Sequence, residues 1–213
     1  MIGASDIYEN NVGQVFGLNT CDGGSNWYGW EIMNNTTKKP FKLFVWGSNS
    51  WGELMLNLSQ GAKRSSPVQV PGTTWSVISN SSNFEGANYL SWAAKSDGTL
   101  WLSGSPKEDG SGTMRGTTGL NNQDLFSSPV QLPGTNWSGF VARSIRNNMA
   151  TKTDGTLWAW GRNDNGSLGQ NNVTQYSSPV QVPGTSWSYC QCFDYSNGQG
   201  GMLATRTDKT LWM

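Results

Sequence analysis

Three aspartates that recur in register are the residues whose type and spacing could serve acid–base chemistry. Asp97, Asp154 and Asp208 each stand two residues before the Thr of a Thr-Leu-Trp sequence. Carboxylates act as general acids and bases, so their regular recurrence could indicate a ring of acids. Asp before Gly is also typical of a hairpin turn, in which the carboxylate accepts hydrogen bonds from its own backbone. We interpret all three as turn residues.

Histidine is absent from the 213 residues of the sequence. General acid–base catalysis near neutral pH most often uses His. Its absence excludes Ser-His and Cys-His nucleophile pairs and every His-ligated metal site. We therefore predict that the chain is not an enzyme, that it has no catalytic residue and that it binds no cofactor.

The cysteines do not form a convincing metal site. There are three of them, Cys21, Cys190 and Cys192, and an odd number without a signal peptide indicates reduced thiols. Cys190 and Cys192 alternate along a predicted strand, and two thiolates need further ligands to hold zinc. The segment 163–166 has a weak likeness to a calcium loop but lacks its ligand spacing and closing Glu. We predict packing thiols, an ordinary loop and no metal.

The 12 Trp residues could stack on sugars, on bases or in a core. Trp27, Trp30 and Trp51 lie outside the repeated phrases described below, so we take them as candidate contacts with a partner. Eight other Trp residues stand at repeated positions, and this recurrence predicts that they form the structural core. This core set is Trp46, Trp75, Trp101, Trp137, Trp158, Trp160, Trp187 and Trp212.

Charge and hydropathy exclude two kinds of partner. The chain has 14 basic and 14 acidic residues and no run of either sign. Nucleic-acid binding draws most of its affinity from phosphate neutralisation, so we expect no nucleic acid. No segment approaches the roughly 20 apolar residues of a membrane span, and we expect no membrane contact. The first residues lack the basic and apolar regions of a secretory signal.

The elements that position these residues follow from an internal repeat. A Ser-Ser-Pro-Val-Gln phrase leading to Trp occurs three times, and so does an Asp-x-Thr-Leu-Trp phrase, at a spacing of roughly 50 to 60 residues. Such a period indicates stacked supersecondary units. We predict an N-terminal arm or cap at 1–40 and a repeat region at 41–213, divided at about 41–98, 99–155 and 156–213.

Each unit has the local chemistry of β-strands. Asp154–Gly155 predicts a two-residue type I′ hairpin, because that turn needs positive φ angles. In the returning strand, Trp158 and Trp160 fall on one face and Leu157 and Ala159 on the other. Both faces are apolar, so the strand should be covered on both sides. No stretch shows a sustained helical period, which predicts an all-β chain.

The amino-acid sequence of the repeat resembles that of the regulator-of-chromosome-condensation family. The phrases at 154–158, 157–161, 166–169 and 178–182 carry the likeness, which extends over residues 41–213. The resemblance implies four-stranded blades of a β-propeller arranged around an axis. The chain has about three such units, whereas propellers of this family usually close with about seven.

An arc of three blades leaves two sheet faces uncovered. One face amounts to roughly 300 Å². Covering it is worth on the order of 7 kcal/mol. We therefore predict a partial or oligomer-completed propeller, its faces covered by residues 1–40, by further copies of the chain or by another protein. The strand at 210–213 should complete a blade with something else, which makes Leu211 and Trp212 candidate contacts.

The longest departure from the repeat is the insertion between Ser105 and Phe126. Loops on a rigid scaffold frequently carry binding residues. Lys107, Glu108 and Asp109 are therefore candidate partner contacts, and a tolerated flexible insertion is the alternative.

The resemblance also bears on function. The eukaryotic family member exchanges guanine nucleotide on a small GTPase and docks on chromatin, through loop residues that include His and through a basic surface. This chain has neither His nor net positive charge, so those roles do not transfer. It is more similar to bacterial and viral relatives, which mostly act as protein-binding scaffolds, one of them a secreted β-lactamase inhibitor.

Two functional hypotheses remain. The first is a non-catalytic structural protein of a virus particle, such as a capsid decoration or a tail-associated protein, that binds copies of itself or a capsid or tail protein. The alternative is a free protein- or carbohydrate-binding module, with a glycan as partner. The corresponding locations are the virion and, otherwise, the cytoplasm.

Overall fold

The computed structural model describes residues 9–10, 14–19, 28–31, 40–79, 89–106, 116–122, 124–143, 147–194 and 200–213. The chain divides into two compact units, Met1–Lys39 and Pro40–Met213. In the first unit, three antiparallel strands follow one another, β1 (Glu9–Asn10), β2 (Gln14–Asn19) and β3 (Tyr28–Glu31).

The second unit consists, in the described residues, of four antiparallel sheets in chain order. The first sheet contains β4 (Phe44–Asn49) and β5 (Ala62–Gln69). The second contains β6 (Trp75–Ser79), β7 (Tyr89–Lys95), β8 (Leu100–Ser105) and β9 (Phe126–Gln131). The third contains β10 (Trp137–Arg143), β11 (Asn147–Lys152), β12 (Leu157–Gly161) and β13 (Tyr176–Val182). The fourth contains β14 (Trp187–Asp194), β15 (Gly200–Arg206) and β16 (Leu211–Trp212).

We call the first and fourth sheets the outer sheets and the second and third the inner sheets. The inner sheets are complete four-stranded blades, whereas the first sheet has the equivalents of a third and a fourth strand only. The fourth sheet has first and second strands and a two-residue third strand. This all-β arrangement confirms the predicted partial propeller, with two complete blades between two incomplete ones.

Sequence repeats and sheets are out of phase. The repeats begin at a third strand, so that the segment 99–155 contains β8 and β9 of one sheet and β10 and β11 of the next. Each repeat therefore ties two successive sheets together covalently.

The apolar core is divided among the three junctions between successive sheets. Trp158 and Trp160 face the second sheet, while Leu157 and Ala159 face the fourth, as their alternation predicts. Burial on both faces explains why this strand is apolar throughout. The cluster at the first junction is Leu43, Met55, Val70, Trp75 and Ala93. The cluster at the second junction includes Leu90, Trp92, Leu100, Leu102, Leu132, Trp137 and Trp160. The cluster at the third includes Met149, Leu157, Leu168, Trp187, Cys190 and Met202.

The hairpins at the Asp-Gly pairs differ from the type I′ prediction, which was wrong. Gly155 has φ +80°, but Asp154 is not in the positive-φ region. The backbone N–H of Gly155 donates to the carbonyl of Lys152, and that of Lys152 donates to Thr156. This pattern is a three-residue loop, a type I turn followed by a glycine bulge. The bulge needs only one residue with positive φ.

Within the described residues, no helix is long and apolar enough to cross a membrane.

Candidate protein-interaction surfaces

The second junction, between the two inner sheets, shows how a neighbouring sheet buries a strand residue. Trp160, on the third strand of its sheet, is fully buried. Its ring lies edge-on to Trp92 of the second sheet, with 5.8 Å between ring centroids, and to Trp137 of its own sheet at 6.2 Å. Such edge-to-face pairs are favoured by the charge distribution of aromatic rings. The neighbouring sheet is therefore what buries Trp160.

Trp46 stands at the same strand position in the first sheet. Val45 pairs with Val68 as Ala159 pairs with Val180, and both strands change register at the next residue. Trp46 is 62% exposed, because no described residue lies where the preceding sheet would pack. The repeated position of Trp46 predicts a core role, and the structure differs for this reason.

The first sheet exposes further apolar surface beside Trp46. Phe44 on the same strand is 46% exposed, and Phe41 just before it is 37% exposed. In the described residues β4 pairs with β5 alone, so its other edge presents backbone N–H and C=O groups. An exposed apolar strand edge of this kind is a site for pairing with another chain.

The fourth sheet has a matching exposed region. Leu211 is 61% exposed, Trp212 50% and Met213 95%. β16 pairs with β15, and no described strand pairs with its other edge. The predicted contacts Leu211 and Trp212 are thus on the surface, and Trp212, also assigned to the core, is only half covered. The two outer sheets therefore both expose apolar side chains at strand edges.

In the second, third and fourth sheets, a cation lies between two Trp rings. The Lys152 ammonium is 4.7 Å from the Trp137 ring centroid and 4.4 Å from that of Trp158. The pairs around Lys95 and Arg206 repeat this arrangement. A cation over an aromatic face is attracted by the ring's negative potential. These Trp residues are thereby structural.

The three aspartates support the same rings. The backbone N–H of Thr156 and its hydroxyl both donate to Asp154 Oδ1, at 2.9 and 2.6 Å, and Trp158 Nε1 donates to the Thr156 hydroxyl at 2.9 Å. Asp97 and Asp208 make the same contacts. The threonine hydroxyl holds the pKa of each carboxyl below its usual value of 3.8. The turn interpretation is confirmed.

The calcium-like segment is closed by its own asparagine. Asn163, fully buried, donates to the carbonyls of Asn172 and Thr174 and accepts from the backbone N–H of Leu168. Asn49 does the same in the first sheet with Leu54. A side chain that is committed to its own loop is a structural group.

The thiols of the fourth sheet pack against the third. Cys190 is buried, and burial raises the pKa of its thiol to about 12. Cys192 is half-buried beside the same cluster. In the part of the chain that the structure describes, no three His, Cys, Asp or Glu side chains gather as a metal site would require.

The described part of the long insertion packs against the third sheet. The carbonyl of Thr117 accepts hydrogen bonds from Asn148 Nδ2 at 2.8 Å and from Trp160 Nε1 at 3.2 Å. Thr117 and Thr118 are buried. The candidate contacts of this insertion, Lys107, Glu108 and Asp109, lie outside the described residues.

The remaining candidate contacts divide between the two units. Trp51 stacks on Tyr89, with ring centroids 5.3 Å apart and planes 24° from parallel. Trp27 lies outside the described residues, and Trp30 lies in β3 with its side chain outside the described part. Among the predicted core residues, four are fully or almost fully buried, Trp75, Trp137, Trp160 and Trp187, and two are half-buried, Trp101 and Trp158.

Sequence reasoning missed Phe41 and Phe44 as surface residues. Phe44 occupies the repeat position of Trp158, a strand position, Phe41 precedes that strand, and nothing in the repeat indicates that a neighbouring sheet is lacking. The signal that could have found them is the third-strand start of the repeat array, since in the described residues β4 has no first or second strand in its sheet.

Comparison with known families gives one match. Residues 154–192 match the family model described as the regulator of chromosome condensation (RCC1) repeat. No curated protein shows significant sequence similarity to the chain.

Solved structures of propellers share the fold. Yeast RCC1 (Prp20), bound to Kap60, is 17% identical with a TM-score of 0.57, over 80% of this chain and 38% of that one. Human WBSCR16 is 19% identical with a TM-score of 0.57, over 79% and 41%. Prp20p from Saccharomyces cerevisiae, described with its binding to Gsp1p and histones, is 14% identical with a TM-score of 0.55, over 92% and 52%. The chain thus spans between 38% and 52% of these proteins.

Proposed function

We propose that this chain, which carries an RCC1 repeat on the sheets of a partial β-propeller, is a non-catalytic protein-binding scaffold. One observation carries the proposal. The two outer sheets expose apolar side chains at strand positions that the inner junctions bury, as the pair Trp46 and Trp160 shows. Clustered exposed apolar residues at open strand edges are typical of surfaces that bind protein.

The structural relatives support protein binding in general. Yeast RCC1 binds Kap60, and Prp20p binds Gsp1p and histones. Basic partners such as histones call for an acidic surface, and nucleotide exchange calls for a dedicated loop chemistry. This chain has equal numbers of acidic and basic residues and no His. We therefore propose a partner that is recognised by apolar contact and strand pairing.

We further propose that the chain acts as a structural subunit of a virus particle, as a capsid decoration or a tail-associated protein. The low charged fraction of 13% and the abundance of Gly and Trp support a protein that is held in an assembly by its neighbours. Such a location places the outer sheets against capsid or tail subunits or against other copies of this chain.

The test is whether the chain is recovered with purified virus particles, with its copy number measured against that of a major structural protein of the particle. A fixed copy number, retained through density-gradient purification and lost in Trp46→Glu, supports the proposal. Leu125→Glu, at a residue 37% exposed in the loop just before β9, is the control and should be retained. A chain recovered only in the soluble fraction would contradict the virion location.

A second candidate is carbohydrate binding at the Trp51–Tyr89 stack. Tyr89 is 37% exposed and continues the aromatic surface formed with Trp51. Aromatic faces bind the apolar faces of sugar rings. A glycan array followed by titration of Tyr89→Ala tests it: binding that this variant abolishes favours the second candidate, and an array without any signal excludes it.

A further inference from the structure

A repeated contact joins the loop of one sheet to the fourth strand of the next. At the first junction, the backbone N–H of Asn57 donates to the Ser127 carbonyl at 2.7 Å. Gly52 of the same loop lies so close that a Cβ built on it would be 2.9 Å from the Phe126 carbonyl oxygen. Only glycine fits there, since real Cβ atoms do not approach a carbonyl this closely.

The second junction has the same contact. The backbone N–H of Asn121 donates to the Ser177 carbonyl at 2.8 Å, and a Cβ on Gly116 would lie 2.4 Å from the Ser177 Cα. Asn57 and Asn121 have φ angles of +52° and +56°. We call this arrangement of a Gly and a left-handed Asn five residues later the socket, and the serine of the fourth strand the plug.

The third loop contains a socket without a plug. Gly166 and Asn171 have the same spacing, with φ angles of +74° and +53°. A Cβ on Gly166 would meet only the Asn172 carbonyl of its own loop, at 3.9 Å. Residues 171–175 are exposed, and in the described residues no fourth strand follows β16.

The first sheet contains the matching plug without a socket. Ser65 stands in β5 where Ser127 and Ser177 stand in β9 and β13, each one residue before a Ser-Pro-Val-Gln phrase. Ser65 is exposed, whereas Ser127 and Ser177 are half-buried under their sockets. Of the three plugs in the described chain, Ser65 alone lacks a loop against it.

The edge of β4 has open space at the position that a second strand occupies beside β8. Gly104 and Gly47 stand at the same bulge, with φ angles of +114° and +109°. A Cβ on Gly104 would lie within 2.8 Å of the Tyr89 carbonyl carbon in β7, its second-strand neighbour. A Cβ on Gly47 would meet nothing within 4 Å. Beside β4 there is thus room for a second strand, and no described residue occupies it.

We propose that a second copy of this chain fills both places, its β4–β5 hairpin pairing with β15 and its Ser65 entering the socket at Gly166 and Asn171. The inference rests on the proposed protein-binding function and names its partner. The hairpin takes the place of β16, because Leu211 and Trp212 pair with β15 as strand residues equivalent to Leu43 and Phe44. First and second strands from one copy and third and fourth from the other make one four-stranded blade.

The strand count fits two copies. In the part of the chain that the structure describes, each copy has twelve strands from β4 to β15, enough for three blades of four. Two copies then make six blades, within the range of four to eight that propellers use, whereas three copies exceed it. The contact joins different surfaces of the two copies and closes after one twofold rotation.

The mass of the chain in solution tests the proposal directly. Light scattering at increasing concentration should give twice the chain mass of 23.2 kDa. Trp46→Glu should weaken the association on the order of 100-fold, since it buries a charge at the centre of the contact. Because Trp46 is 62% exposed in the single chain, the variant should fold, as a circular dichroism spectrum will show. Leu125→Glu is the control and should remain dimeric.

A cross-link tests the strand register. In the third sheet Met149 lies opposite Ala159, and the same register places Leu203 of one copy opposite Val45 of the other. A chain with Leu203→Cys and Val45→Cys, and with its own cysteines replaced, should form a disulfide-linked dimer under mild oxidation. Val68→Cys in place of Val45→Cys, one strand farther away, should not.

The outcomes separate this inference from the proposed function. A chain that is monomeric at all concentrations and forms no linked dimer overturns the second-copy proposal, even if Trp46→Glu still abolishes recovery from particles. A dimer that is unaffected by Trp46→Glu and fails to cross-link overturns it as well. The proposal is supported if Trp46→Glu loses both dimer formation and recovery from particles, and if the chain with Leu203→Cys and Val45→Cys forms the disulfide-linked dimer.

Discussion

Trp46 and Trp160 hold the same position in the third strands of their sheets, yet Trp160 is fully buried and Trp46 is 62% exposed. The difference comes from the neighbouring sheet, since Trp160 packs against Trp92 and no described residue takes that place beside Trp46. The same sequence position is thus core in one sheet and surface in another, and the surface copy is where a partner can bind.

We predict unequal costs for removing these two side chains. Trp160→Ala should lower the free energy of unfolding by about 3 to 5 kcal/mol, because it leaves a cavity in the second junction. Trp46→Ala, in the dilute single chain, should lower it by less than about 1 kcal/mol. Urea denaturation followed by circular dichroism measures both. Similar losses in the two variants would show that Trp46 is already covered within one chain.

Lys209 should destabilise the hairpin before β16. It has φ +69° where Gly98 and Gly155 have +80°, and a left-handed backbone costs a residue with a Cβ roughly 1 to 2 kcal/mol. We expect Lys209→Gly to raise the free energy of unfolding by about 1 kcal/mol. Gly155→Lys is the reverse control and should lower it by more, because its Cβ would lie 3.2 Å from the Ser186 nitrogen. An unchanged Lys209→Gly variant would contradict the strain at this turn.

The turn aspartates should add an acid-sensitive contribution to stability. The hydrogen bonds from Thr156 hold the Asp154 pKa below its unfolded value of 3.8. A carboxyl with a lowered folded pKa contributes stability that is complete above pH 3.8 and is lost as the pH falls through the folded pKa. Urea denaturation between pH 7 and pH 2 should show wild type above Asp154→Asn, with the difference closing below pH 3.8. A difference that is constant with pH would exclude this ionisation as its cause.

Cys190 should be inert in the folded protein. Burial raises the pKa of its thiol to about 12, and the thiolate is the reactive form. In a variant with Cys21→Ser and Cys192→Ser, labelling at pH 8 should be slow and should accelerate when urea opens the fourth sheet. The counterpart that retains only Cys192, which is half-buried, should react faster. Equal rates would mean that the third junction opens freely.

The sequence predicts best what depends on neighbours within one repeat. The alternation of Leu157, Trp158, Ala159 and Trp160 predicts a strand covered on both faces, since side chains alternate across a sheet. The turn role of Asp154 follows from local chemistry in the same way. Both predictions are confirmed because their partners lie a few residues away or in the next sheet of the repeat.

The sequence could not predict what depends on which sheet stands beside a position. Trp46 matches the buried Trp160 in its repeat position, and only the absence of a covering sheet in the described residues exposes it. The sockets could not be predicted either. In the sequence Gly166 and Asn171 resemble ordinary loop residues, and the contact that such a loop makes is seen only in the structure, at Gly52 and Asn57. Long-range packing decides both features.

Hydrogen exchange of the β4 amides tests the central claim, that protein covers the outer sheets. The peptide that contains Phe44 and Trp46 is compared with its inner equivalent at Trp158 and Trp160, whose strand has neighbours on both sides. Exchange of the β4 peptide should slow by at least about tenfold, toward the rate of the inner peptide, when the chain is concentrated or bound in its assembly. Exchange that stays fast at every concentration and in the assembly, with the inner peptide protected throughout, would contradict it.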